Sequence, residues 1–168
     1  MRKRQAHLAS RDRPLYGLTV AELEIDAMSK QDFDTITSVL DRWWGGPAGQ
    51  RADPPFFYEL GAGALVARQD GQIAGFLLGF VAPLDPPIGY IHLVGIHPDQ
   101  RRRAVGKRLY ERFIDNCHAQ GITQLKAISP VGDEGALRFH VALGFEAQEV
   151  SDYAGPGRAR VVYTRSTR

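Results

Sequence analysis

Five basic side chains crowd one turn of this chain: Arg101, Arg102, Arg103, Lys107 and Arg108, with Ala104 and Gly106 between them. They follow an apolar, β-branched run, Ile88 to Ile96, that ends at His97-Pro98. They precede a helical pattern in which Leu109, Phe113 and Cys117 recur at every fourth position. Strand, basic turn and helix together favour an anion. The first N–H groups of a helix have no internal partner, and the positive end of the helix dipole lies there. Small residues at Ala104 and Gly106 let a phosphate approach the backbone. Two common phosphate loops do not fit. A Walker A loop needs Ser or Thr after Gly-Lys, and Gly106-Lys107 is followed by Arg108. A dinucleotide fingerprint needs three spaced glycines, which are absent here.

A third loop does fit. Arg101-Arg102-Arg103-Ala104-Val105-Gly106 resembles the acyl-coenzyme A loop of the GNAT N-acetyltransferases: Arg or Gln, two residues, Gly, one residue, Gly or Ala. Ala104 stands at the first glycine position, where a left-handed turn would strain it. A second motif, Asp133 to Phe145, resembles the family's Asn, two residues, Ala, three residues, Tyr, three residues, Gly-Phe. Ala136 and Gly144-Phe145 match in register, Asp133 replaces Asn, and His140 replaces Tyr. The resemblance covers Leu18 to Thr164 in order. It implies a mixed, mostly antiparallel sheet of about six to seven strands, with a splayed central parallel pair and about four helices.

The resemblance also implies a chemistry, transfer of an acetyl group from acetyl-CoA directly to the amine of a small molecule or peptide. The strand stretch Val94-Gly95-Ile96 would face the pantetheine arm, a bulge freeing the N–H of Val94 or Ile96 toward it. One such N–H would stabilise the oxyanion formed from the thioester. Residues Arg101, Arg102, Arg103, Ala104, Val105, Gly106 and Lys107 would hold the pyrophosphate, with Asp133 and His140 also against the coenzyme. An alkylamine with a pKa of about 10.4 is neutral in about one part in 10³ at pH 7, so freeing its lone pair costs roughly 4–5 kcal/mol. His92 stands where the family often places a basic Glu, and imidazole titrates in the useful range. It would share a strand face with Tyr90, Val94 and Ile96 if no bulge intervened. His140 would give the departing thiolate a proton or a hydrogen bond, with Tyr110 and Tyr153 as further donors. The plainer reading of both histidines is packing, and that of the arginine run is a solvated face.

Several elements must position these groups. Leu18 to Met28 reads as a first strand, and Ser29 or Asp32 can cap a helix carrying Phe33, Ile36, Val39 and Leu40 on one face. Trp43-Trp44-Gly45-Gly46-Pro47 ends it, and a Pro-rich link leads to the aromatic cluster Phe56-Phe57-Tyr58. These aromatics are candidates to line an amine pocket, with Asp53, Glu59 or Asp85 as counter-charge. Ala64–Arg68 and Gln72–Val81 form a hairpin about Asp70-Gly71. The central strand and helix follow, the helix stopping at Gly121. Ile122–Ile128 is a strand, a helix begins at Asp133, and Phe145–Val150 and Arg160–Thr164 close the chain as strands. The order is mixed α/β, with a strand–helix–strand crossover at its centre.

Composition narrows the field. The 168 residues suit one domain, read as 17–168, behind a basic and flexible tail over 1–16. A formal net charge of +2 argues against a polycation built for nucleic acid. The lone Cys117 lies on an apolar stripe and reads as a buried thiol. No zinc-ligand spacing is found, so no metal is expected. No apolar run is long enough for a membrane span and the start lacks a signal core, so a cytoplasmic protein is expected. A second copy of the chain remains a candidate partner. The competing function is a non-catalytic acyl-CoA-binding or regulatory module on the same fold.

Overall fold

The structure, a computed structural model, describes residues 22–45 and 52–168. The basic tail, the start of the first strand at Leu18 and the Gly46-Pro47 turn lie outside them. Among the described residues seven strands form one sheet: β1 (Glu24–Ala27), β2 (Leu65–Gln69), β3 (Gln72–Ala82), β4 (Ile88–Ile96), β5 (Gln124–Pro130), β6 (Glu146–Val150) and β7 (Arg160–Ser166). Their order is β1-β2-β3-β4-β5-β7-β6. Neighbours run antiparallel except β4 and β5, the parallel pair at the centre. The helices are α1 (Lys30–Trp44), α2 (Pro54–Tyr58), α3 (Val105–Ala119) and α4 (Glu134–Ala142).

Local chemistry explains most of the boundaries. Ser29 caps α1 in a reciprocal box: its side chain accepts from Asp32 N–H, and the Asp32 carboxylate takes the Ser29 N–H at 2.9 Å. Gly45 ends that helix in the left-handed conformation at φ +73°. The hairpin turn at Asp70-Gly71 has positive φ at both residues, as its type requires. One element differs from the sequence reading: the Pro-rich link contains the short helix α2. Pro54 and Pro55 occupy its first turn, where a missing N–H removes no intrahelical bond, so here proline starts a helix.

The sheet has a core on each face. Against α3 pack Leu77, Ile91, Leu125 and Tyr163, together with Leu109, Phe113 and Cys117 of the helix. A Cβ at Gly89 would lie 2.7 Å from the Cys117 sulfur, so the absent side chain lets α3 sit close to β4. On the other face α1 packs Phe33, Ile36, Leu40 and Trp43 against Phe76 and Leu78. Cys117 is buried and unpaired, and burial pushes its thiol up to about 11.

Candidate active site

The site begins where the central parallel pair separates. β4 and β5 are in register only over Gly89–Ile91 and Leu125–Ala127. At the next residue β4 also breaks step with β3: Leu78 lies opposite Leu93 and Gly79 opposite Ile91, leaving His92 as the extra residue of a bulge. The bulge divides the strand. Tyr90 and His92 turn toward α2, where His92 stacks on Phe56 with ring centres 3.7 Å apart. Val94 and Ile96 turn instead to the α3 core. The single face shared by Tyr90, His92, Val94 and Ile96 therefore does not exist.

The same register fixes the backbone. His97 N–H donates to the Ala74 carbonyl at 2.9 Å. Alternate residues of an antiparallel pair turn to opposite edges, so the N–H groups of Val94 and Ile96 point away from β3, into the gap that β5 has left. Gly95 points the other way. Its N–H faces β3, and its missing Cβ makes room for the Phe76 ring. It shapes the strand without presenting an N–H to the gap.

The basic turn lies beyond the end of β4. Arg102 and Ala104 are both left-handed, at φ +63° and +60°. Ala104 is the last residue before α3, so its methyl is carried in the strained conformation. Left-handed residues interleaved in a turn gather N–H groups into an anion-binding concavity, here continued by the free first turn of α3. The side chains of the turn differ in their tasks. The Arg101 guanidinium donates to the Trp43 carbonyl at 2.5 Å, tying the turn to the end of α1. Arg102 and Arg103 are exposed. Lys107 lies 3.6 Å from Glu111, one helical turn on. Val105 is buried in the core and offers only its backbone. A Cβ at Gly106 would stand 3.2 Å from the Phe139 ring, so glycine there also lets α4 approach α3.

His140 lies in the opposite wall, buried. Its Nδ1 is 2.8 Å from the Ala136 carbonyl, which can only accept, so Nδ1 carries the hydrogen. Nε2 then accepts from the Tyr110 hydroxyl at 2.9 Å. Burial lowers the pKa of the ring, outweighing the raising effects of the Ala136 carbonyl and Asp133. The imidazole is neutral and its one N–H is engaged. Desolvation raises the Tyr110 phenol as well, with the nearby Tyr163 adding to it. Tyr163 stacks on His140 at 4.0 Å and meets Ser129 Oγ at 2.9 Å. Asp133 caps α4, its carboxylate accepting from Ala136 N–H at 2.9 Å.

A cleft of about 1250 Å³ joins these parts. Val94, Ile96, Arg101 and Gly106 line one stretch of it, Tyr110, Asp133 and His140 another, and Tyr90, His92, Phe56, Asp53, Trp43 and Trp44 a third. Phe57 is turned aside to stack on Phe33 at 4.7 Å, and Tyr58 is exposed, so of the aromatic trio Phe56 alone lines the cleft. Glu59, Asp85 and Tyr153 do not line it. Arg160, Ser129 and Ile128 do, and nothing in the local sequence pattern marked them. A cavity between diverging strands, with strand N–H groups pointing in and a basic helix-start turn at its mouth, has the shape and donors to take a long phosphate-bearing thioester.

The chain belongs to the acetyltransferase (GNAT) family, whose model matches residues 33–145. The fold and the family that the sequence resembles are thus both borne out. The chain is 33% identical over 67 residues to an L-2,4-diaminobutyric acid acetyltransferase of Nocardia farcinica, covering 39% of this chain and 35% of that one. The chain spans about a third of the length of the first curated relatives it matches. Its fold is similar to that of the ribosomal-protein-S18-alanine N-acetyltransferase of Escherichia coli, with TM-score 0.69, 19% identity and 87% and 94% of the two chains covered. A structure of the NatC complex bound to Gag peptide and CoA gives TM-score 0.72 at 15% identity, covering 86% and 98%. No helix among the described residues is long and apolar enough to cross a membrane.

Proposed function

We propose that the chain transfers an acetyl group from acetyl-CoA directly to the amine of a small molecule or peptide. The observation that carries this reading is the coincidence at His92: pairing with β5 ends there, the β4 bulge occurs there, and the Val94 and Ile96 N–H groups beyond it face the opening. When bound, acetyl-CoA supplies an activated acyl carbonyl. The backbone of Arg101 to Lys107, with the first turn of α3, suits the pyrophosphate, while exposed Arg102 and Arg103 add an attractive field. A strand N–H from Val94 or Ile96 stabilises the negative charge that develops on the carbonyl oxygen.

His92 is the base. It lines the acceptor stretch of the cleft, with Phe56 covering one ring face. It takes the proton of the incoming ammonium, directly or through water, and frees the nitrogen lone pair. On the leaving side the Tyr110 hydroxyl, whose one hydrogen rests on His140 Nε2, turns that hydrogen to the departing sulfur as charge develops there. His140, neutral and anchored on Ala136, holds the phenol in place rather than giving a proton itself. Asp133 supports this wall by capping α4. The relatives named above take a diamino acid in one case and a protein alanine in another, which supports leaving both acceptor sizes open.

Release of free thiol from acetyl-CoA against a panel of amines tests the proposal. Amine-dependent release is expected, with His92→Ala losing it most steeply below about pH 8, where the substrate ammonium most needs a base. Acetyl-CoA binding in calorimetry without release on any amine would leave only the coenzyme-binding module.

A further inference from the structure

The cleft carries two opposite charges in its lining, Arg160 on β7 and Asp53 at the start of α2. Arg160 begins β7, opposite Pro130 of β5. Side chains alternate along a strand, and Tyr163 of β7 turns to α4, where it stacks on His140. Arg160, three residues earlier, is therefore on the other face. That is the face of Tyr90 and His92, because Tyr90 is in register with Lys126, and Lys126 with Thr164. The guanidinium is half-buried in the cleft wall. Its one side-chain hydrogen bond among the described residues, 2.9 Å to the adjacent Ala159 carbonyl, uses one nitrogen. No carboxylate among the described residues pairs with it. A planar fork of donors held half out of water without an acid is suited to a carboxylate brought from outside.

Asp53 stands at the start of α2. It occupies the N-cap position, yet its side chain makes no capping bond, and it too lines the cleft. The other nearby cation on this face, Lys126, lies over the Tyr153 ring at 5.1 Å and does not line the cleft. Among the described residues this part of the cleft thus offers a carboxylate and a guanidinium outside any ion pair, and an aromatic floor of Phe56 and Tyr90 beside His92.

We propose that the acceptor is a small amine that also bears a carboxylate, an amino acid in chemical class, with the carboxylate held by Arg160 and the ammonium side toward Asp53 and His92. The inference rests on the transferase reading above. It separates this site from one built for polycationic amines, which a guanidinium in the wall repels. A neutral amide in place of the carboxylate loses a charge-assisted, two-point contact, a loss of about tenfold to a hundredfold in binding.

The test is a matched panel: free amino acids, the same compounds as carboxamides, and simple alkyl diamines. Thiol release with acetyl-CoA gives kcat/KM, and protein-observed NMR titration of the same ligands gives affinity whether or not turnover occurs. The free acids are expected to exceed their amides by about tenfold or more in both readouts. Arg160→Gln is expected to draw that ratio toward one, and Arg160→Lys to restore part of it. Equal use of acid and amide by the unaltered protein overturns the proposal. So does an unchanged ratio in Arg160→Gln accompanied by a higher KM for acetyl-CoA, which would place the guanidinium on the coenzyme. If no amine supports thiol release but the acids still bind better than the amides through Arg160, the transferase reading fails and the ligand class stands.

Discussion

The coenzyme turn carries an alanine in a conformation that favours glycine, and the consequence can be measured. Ala104 has φ +60° and ψ +9°, and it is exposed, so its methyl buries little. An L-residue in the left-handed region costs about 1–2 kcal/mol. Glycine removes that strain but returns about 0.4–1 kcal/mol of backbone entropy to the unfolded chain. Ala104→Gly should therefore stabilise the protein by about 0.5–1 kcal/mol, or about 1–4 °C in Tm for a chain of this size. A mirror experiment is available after α3. Gly121 has φ +74°, and a Cβ built there meets nothing within 4 Å. Gly121→Ala should destabilise by about the same 0.5–1 kcal/mol, by backbone strain alone. Chemical denaturation with linear extrapolation reads both. Calorimetry with acetyl-CoA should show undiminished affinity in Ala104→Gly, since the N–H groups of the turn are retained. If Ala104→Gly destabilises the protein while Gly121→Ala behaves as stated, the strain argument for the turn is wrong.

Other outcomes follow from the same geometry. Gly106→Ala would put a methyl 3.2 Å from Phe139 and 3.6 Å from Ile96; it should weaken coenzyme binding and cost about 1 kcal/mol of stability, after the gain in helix propensity, by equilibrium unfolding. Burial depresses the His140 pKa in the folded state, whereas the unfolded ring titrates near 6.5. The ring's contribution to stability is therefore full above about pH 6.5 and falls as the pH drops toward the folded value. His140→Phe should accordingly flatten the loss of stability on acidification, and an unaltered pH slope of the denaturation midpoint would contradict the buried neutral imidazole. Ser29→Ala removes the capping oxygen of α1 and should cost about 1 kcal/mol, read as a shift in denaturant midpoint with the slope unchanged.

The site shows where local pattern stops. The arginine turn, its place between a strand and a helix, and the Asp133 cap of the next helix follow from residue types within a few positions of one another. They were legible because capping, turn conformation and amphipathic period are short-range effects. The bulge at His92 was expected on this strand, but its position was not. It depends on how β3 and β4 settle over Phe76 and Leu78 on one face and Ile91 and Val94 on the other. His140 had two readings in sequence, packing or proton donor. Which of its nitrogens holds the hydrogen depends on the Ala136 carbonyl one turn back and on Tyr110, thirty residues earlier.

The amino-acid sequence by itself determined the order of the strands and of the helices other than α2, the anion-binding turn, and the family that both motifs point to. Each of these is written in periodicity and in spacing along the chain. The tertiary structure decided which side chains come together: Phe56 against His92, Tyr110 against His140, and Arg160 in the same cleft as Asp53. The physical reason is that strand register and helix docking are chosen by the combined packing of two cores. A single-residue change of register reverses the face on which every later side chain falls.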